Sequence, residues 1–114
     1  MKGGHDMTRY LIQIAIAPQA MAAVIQNPHN RAEAVRPIFE AVGGRLEEYY
    51  IAVGGNTAYI VAELPDEKSL GVINMAVFAG GAVTSMKSTA IVTAEEAVDV
   101  MKKAGAIAYR PPGG

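Results

Sequence analysis

Stretches in which apolar side chains alternate with period two are separated by stretches with a helical period. The alternating stretches are residues 9–17, 45–53, 57–64 and 83–92, and they predict four β-strands. The second and third flank a glycine-rich turn at residues 54–56, which is short enough to join only antiparallel neighbours. They therefore predict a hairpin. The fourth has no strongly apolar face and is expected at a sheet edge.

The stretches between the strands predict helices. Residues 18–42 are expected to form one bent helical unit, in which Pro18 starts the first part and Asn27 caps a second part beginning at Pro28. Asp66 is expected to cap a second helix that ends at glycines 80 and 81. The run Thr93-Ala94-Glu95-Glu96 matches a capping box and predicts the start of a third helix.

The predicted order β-α-β-β-α-β-α is typical of an α+β protein with the ferredoxin-like βαββαβ sandwich. This fold has a four-stranded antiparallel sheet in the order 4-1-3-2, with both main helices on one face, and here a C-terminal helix follows. The length of 114 residues allows one domain. We expect it to span residues 8–106, between a flexible tail at residues 1–7 and a second tail at residues 107–114.

One face of this sheet is left without helices, and we refer to it as the open face. The side chains expected on this face include both apolar and polar ones, and together they are too apolar to be left exposed to water. The composition of the chain, 51% hydrophobic and 18% charged, agrees with this. We therefore expect a homo-oligomer, most simply a dimer, that packs through this face and encloses a pocket for a small apolar molecule. The expected members are Leu11, Gln13, Ala15, Tyr49, Ile51, Tyr59, Val61 and Glu63.

Glu63 is the candidate catalytic residue, because a carboxylate buried in a mostly apolar strand has a raised pKa and can transfer protons. Lys87 on the fourth strand is its expected counter-charge. Tyr49 and Tyr59 are expected as cross-strand neighbours that orient a ligand together with Gln13. The structural alternatives are an ion pair for Glu63 and interface packing for the tyrosines.

Several classes of function have no support in the sequence. The net charge of −1 and the scattered basic residues argue against nucleic-acid and anionic-membrane partners. The chain has no cysteine, and its histidines, His5 in the tail and His29 at a helix junction, form no metal-binding motif. No phosphate loop or serine nucleophile motif occurs. We expect no metal, no cofactor, no secretory signal and a cytoplasmic location.

Several of these segments resemble the GYD-domain family, which belongs to the dimeric α/β-barrel superfamily of ferredoxin-like proteins. The similar segments are Asn27-Pro28 with Arg31 downstream, Gly43-Gly44-Arg45-Leu46-Glu47, Glu63-Leu64-Pro65-Asp66, Gly81-Ala82-Val83 and Thr93-Ala94-Glu95-Glu96. The resemblance implies the fold and self-association. It implies no particular activity, since members of the family mostly lack an assigned one.

The chain departs from the family at the turn for which the family is named. A Gly-x-Tyr-Asp type turn is replaced by Gly54-Gly55-Asn56-Thr57, so any chemistry of that tyrosine and aspartate is lost here. If the two residues only shape the turn, Asn56 can replace them because it tolerates positive φ. Two hypotheses follow: an oligomeric protein without assigned activity that binds a small apolar molecule, or a cofactor-independent isomerase or monooxygenase acting on a small aromatic or carbonyl compound.

Overall fold

The computed structural model describes residues 7–113 and contains four strands and four helices. Residues 1–6, which belong to the predicted N-terminal tail and include His5, lie outside the described residues. The strands are β1 (Thr8–Ile16), β2 (Arg45–Ile51), β3 (Thr57–Leu64) and β4 (Val83–Ile91). The helices are α1 (Pro18–Gln26), α2 (Arg31–Ala41), α3 (Glu67–Ala79) and α4 (Ala94–Gly105).

All neighbouring strands are antiparallel, in the order β2-β3-β1-β4. This is the predicted ferredoxin-like order, and it places β4 at an edge as expected. The core lies between the sheet and the helices, where alternate residues of the two inner strands are buried. Ile12 is 1% exposed and Leu64 is fully buried, while Phe39 of α2 and Ile73 of α3 cover them. The hydrophobic alternation of β1 and β3 therefore identifies the covered face correctly.

The first helical region differs from the prediction of one bent unit. It consists of two separate helices, and α2 begins at Arg31 and not at Pro28. The Asn30 side chain, not Asn27, caps α2 by accepting from the backbone N–H of Ala32 at 2.9 Å. Asparagine is equally favourable at the N-cap at either position, so residue type does not distinguish Asn30 from the predicted Asn27.

The other two predicted caps are confirmed. Asp66 Oδ1 accepts from the backbone N–H of Ser69 at 2.8 Å, and Thr93 and Glu96 form both bonds of a capping box. These caps supply acceptors for N–H groups that have no partner within the helix. The short polar patterns around Asp66 and Thr93 were sufficient to locate both helix starts.

A β-bulge in β2 changes the predicted face of every residue that follows it. Leu46 pairs with Ala62, but Glu48 pairs with Val61, so Glu47 is an extra residue in the strand. A bulge of this kind places two successive side chains on one face and shifts the later alternation. The prediction that Tyr49 and Ile51 face the open side is therefore wrong: they pair with Ile60 and Ala58, both buried on the covered face.

The hairpin turn does not use a left-handed asparagine. Among residues 7–113, positive φ angles occur at glycines 43, 81 and 113 and at no other residue type. Asn56 has a different role, because its backbone C=O accepts from the N–H of Ile16 at 2.8 Å. Its side-chain Nδ2 also donates to the C=O of Ile16 at 3.3 Å. Asn56 thus ties the hairpin to the end of β1.

Helix α4 projects away from the rest of the domain. Every side chain along it is exposed except that of Ala97, which is half-buried. Val98, Val100 and Met101 are 47%, 57% and 67% exposed. The radius of gyration is 17.5 Å, whereas a compact domain of this length has about 13 Å. Val98, Val100 and Met101 are therefore left largely uncovered by the described part of the chain.

Candidate functional site

A row of four side chains crosses the open face from one sheet edge to the other. Gln13 of β1 pairs with Tyr59 of β3 on one side and with Lys87 of β4 on the other. Tyr59 pairs in turn with Tyr50 of β2. We call these residues, Tyr50, Tyr59, Gln13 and Lys87, the open-face row. Side chains in directly opposed positions lie close enough to contact one another, so three of the predicted site residues are brought together.

Tyr50 is the member of this row that sequence reasoning missed. It is 58% exposed, and it occupies the position next to Tyr59 that was predicted for Tyr49. The two residues exchange faces because of the bulge at Glu47. The adjacent tyrosines give no pattern from which their faces could be distinguished, since both are amphipathic.

Glu63 lies farther along the same face, in a cluster of two arginines and three glutamates. Its Oε2 accepts from Arg9 at 3.1 Å and its Oε1 from Arg45 at 2.6 Å. Arg9 also donates to Glu47 at 3.1 Å and to Glu96 at 3.3 Å. The counter-charges of Glu63 are therefore two arginines, whereas Lys87 lies in the open-face row.

The surroundings of Glu63 match the ion-pair alternative better than the role of a proton-transfer base. Its side chain is 15% exposed, and both carboxylate oxygens accept from guanidinium groups. A free lone pair on an accessible carboxylate is what a general base requires. We therefore attribute a structural role to the cluster, which joins β1, β2 and β3 at one end of the open face and reaches the first turn of α4.

Tyr49 lies on the covered face, at a cleft between the helices and the sheet. The cleft contains two neighbouring cavities of about 340 and 210 Å³, both lined by Ile14, Arg31, Tyr49 and Val83. His29 lies at the mouth of the larger one. Both of these mostly apolar cavities thus lie on the covered face. The cavity at the ion-pair end of the open face, about 250 Å³, is lined by Arg9, Glu63 and Glu96.

Hydrogen bonds first, and neighbouring charges second, shift two pKa values near the start of α4. The pKa of Glu96 is lowered, first because its carboxylate accepts from the backbone N–H of Thr93 and further because Arg9 lies beside it. The pKa of Arg9 is raised, chiefly by its hydrogen bond to Glu47. Both shifts favour the charged forms, so the first turn of α4 is held in place by ionised groups.

Acidification is expected to loosen the start of α4. The folded-state pKa of Glu96 lies below its ordinary value of 4.5, so its stabilising contribution is complete above that pH and is lost as the pH falls through the depressed value. Backbone amide shifts of Thr93 and Ala97, followed by NMR from about pH 6 to pH 3, should report this change. In Glu96→Gln the capping bond is retained, since glutamine also forms capping boxes, and this titration should disappear. An unchanged titration in that variant would contradict the assignment.

Two further findings concern the described residues alone. No helix within residues 7–113 is both long enough and apolar enough to cross a bilayer. In the same part of the chain, no three His, Asp or Glu side chains are grouped so that they could hold a metal ion.

The model of the GYD domain matches residues 10–101, which include all of β2, β3 and β4 and most of β1 and α4. The chain belongs to the GYD-domain family. This confirms the resemblance seen in the sequence. No protein with a curated function is similar enough to this GYD domain to supply an activity.

Two solved structures are similar in fold to this GYD domain. One is an uncharacterized NIPSNAP-like domain protein from Burkholderia xenovorans, with 16% identity, a TM-score of 0.49 and coverage of 78% of this chain and 86% of that chain. The other is a protein of unknown function from Nitrosomonas europaea, with 17% identity, a TM-score of 0.46 and coverage of 80% of this chain and 95% of that chain. Neither name states a ligand or a reaction.

Proposed function

We propose that this GYD-domain protein is a homodimer in which two open faces pack together and hold a small molecule against the open-face row. The observation that carries the proposal is that two apolar surfaces of one chain are left uncovered at once. One is the centre of the open face, formed by the half-buried Leu11 and Val61, and the other is the exposed side of α4.

The open face and α4 together provide enough area for a dimer interface. Four strands about 4.8 Å apart, each about eight residues long at about 3.3 Å per residue, cover roughly 500 Å² before side-chain relief is counted. A stable interface buries about 800 Å² on each partner. The 12 residues of α4 provide the remaining area if the helix of each copy lies across the other.

The position of α4 supports this arrangement. The Arg9–Glu96 ion pair attaches the first turn of α4 to one end of the open face. From there the helix continues without covering its own sheet, so Val100 and Met101 stay exposed. A second copy would bury these side chains, which gives a reason for an apolar stripe on a helix that contacts little of its own domain.

The polar side chains of the row explain how such an interface could hold a ligand. Tyrosine has an apolar ring and a hydroxyl that donates and accepts, and the amide of Gln13 does both as well. Tyr59 is 37% exposed, so its ring is available to a partner or ligand. The expected ligand is a small, mostly apolar molecule with one hydrogen-bonding group.

Native mass spectrometry of the purified protein, with a denaturing run as control, tests both parts of the proposal. We expect a species of twice the chain mass, and an additional mass that disappears on denaturation where a ligand is retained. Because the described chain contains no cysteine, a Thr89→Cys label on the open face can be compared with Val72→Cys on α3. We expect the thiol at position 89 to be labelled slowly and the thiol at position 72 to be labelled rapidly. A clean monomer over the micromolar range would refute the proposal.

A further inference from the structure

We propose that the cleft on the covered face is a second binding site, specific for a small apolar molecule that carries a carboxylate, which Arg31 recognises. This site lies on the opposite side of the sheet from the open-face row. It therefore neither requires the dimer nor shares residues with the proposed interface.

The larger cavity has the size and lining of a small-molecule site. At about 340 Å³ it lies at the lower end of the range of ligand pockets. The sheet forms its floor through Ile14, Tyr49 and Ile51, and α1 forms its other wall through Met21 and Val24. Ile51 remains 50% exposed because α1 leaves this part of the floor uncovered. An apolar ligand body would bury this surface.

Arg31 supplies the charge that selects the ligand. Its half-buried side chain lines both cavities. Each of the other arginines in the sheet and in α2, namely Arg9, Arg36 and Arg45, has a carboxylate within ion-pair distance. Among residues 7–113, no carboxylate lies within that distance of Arg31. A guanidinium beside an apolar cavity without a protein counter-ion fits a carboxylate ligand, which it can bind through two parallel hydrogen bonds.

His29 holds this guanidinium in place. Arg31 Nη1 lies 3.0 Å from His29 Nε2, and His29 Nδ1 lies 2.8 Å from the C=O of Asn27. Since the guanidinium only donates and the carbonyl only accepts, the imidazole must carry its proton on Nδ1 and accept at Nε2. One guanidinium nitrogen is thereby fixed, and the others remain available for a ligand. His29 is a positioning residue here, and its location at the helix junction is explained by this contact.

Tyr49 adds a second polar group at the junction of the two cavities. Its ring packs against the core while it lines both cavities. Its hydroxyl can donate a hydrogen bond to a carboxylate oxygen. The larger cavity thus combines one guanidinium and one phenol with a mostly apolar lining, in which Asn27 and His29 are the other polar residues. This combination fits a short-chain or aromatic carboxylic acid.

Isothermal titration calorimetry with phenylacetate and octanoate, beside the neutral probes phenylacetamide and 1-octanol, tests the inference on the full-length protein. We expect at least one of the carboxylates to bind, and to bind at least about tenfold more tightly than its neutral analogue, equivalent to about 1.4 kcal/mol. Arg31→Gln should remove this preference. Val24→Phe, which fills the cavity from α1, should abolish binding of both the acid and its analogue.

Arg36→Gln is the matched control, because it removes the same charge from the same helix but lies outside both cavities. It should leave the affinity unchanged within twofold, and circular dichroism should show all variants folded. Absence of binding by both carboxylates would overturn the inference. So would an acid preference that survives Arg31→Gln, or one that Arg36→Gln removes equally. Since the site is on the other side of the sheet, binding should be the same in a monomeric variant.

Discussion

Gly44→Ala is expected to lower the free energy of unfolding by about 1–3 kcal/mol, the range for overpacking a filled site. A Cβ at position 44 would lie 2.5 Å from the backbone O of Glu63 and 2.5 Å from Cδ2 of Leu64. Leu64 is fully buried, and the carbonyl belongs to a strand paired on both sides. The carbonyl oxygen cannot move without displacing β3, and the Leu64 side chain has little room in the core, so the new methyl group must strain the sheet.

The neighbouring residue shows why this glycine is needed for space and not for backbone conformation. Gly43 has a φ of 82° and ends α2 in the left-handed region. Gly44 donates its N–H to the C=O of Phe39 at 2.9 Å, which completes the helix end. Position 44 is therefore held between the end of α2 and β3.

Gly71→Ala is the matched control for this prediction. Gly71 lies inside α3, and an added Cβ would meet nothing within 4 Å. Alanine should therefore stabilise that helix by about 0.5–1 kcal/mol. Urea unfolding of both variants at one fixed protein concentration measures the difference, since self-association would otherwise change the midpoint. Equal stability of Gly44→Ala and the parent chain would show that the contact is relieved at little cost.

The fold could be predicted because its determinants are local. The alternation of Ile12 and Ile14, and the caps at Asp66 and Thr93, depend on residues within a few positions of one another. Strand order then follows from the handedness of the two crossovers. The start of α2 was predicted wrongly because Asn30, the actual N-cap, has the same residue type as the predicted Asn27.

The candidate site was predictable only in part, because its geometry depends on Glu47, the extra residue of the β-bulge in β2. Gln13, Tyr59 and Lys87 fall in one row since β1, β3 and β4 alternate regularly where these residues lie. In β2 the extra residue Glu47 moves Tyr49 to the covered face. Two consecutive glutamates do not reveal a bulge, since either can occupy a regular polar position. The cleft was not predictable, because it arises from how far α1 stands from the sheet.

Val61→Glu is expected to weaken self-association at least about 100-fold, equivalent to about 2.8 kcal/mol. Val61 pairs with Leu11 at the centre of the two inner strands, away from both sheet edges. In a dimer formed by the open faces, the new carboxylate would be buried without a partner. Desolvation of an unpaired charge exceeds the free energy that a few apolar contacts provide. In the monomer the same carboxylate would face water.

Val72→Glu makes the same chemical change on the outer surface of α3, where Val72 is 56% exposed. Sedimentation equilibrium of the two variants and the parent chain should therefore show dissociation for Val61→Glu and none for Val72→Glu. The reverse result would place the interface on the helical side. If Val61→Glu also leaves the protein folded and still able to bind a carboxylate probe in the cleft beside Arg31, the two faces of the sheet act independently: one assembles the protein, and the other binds the acid.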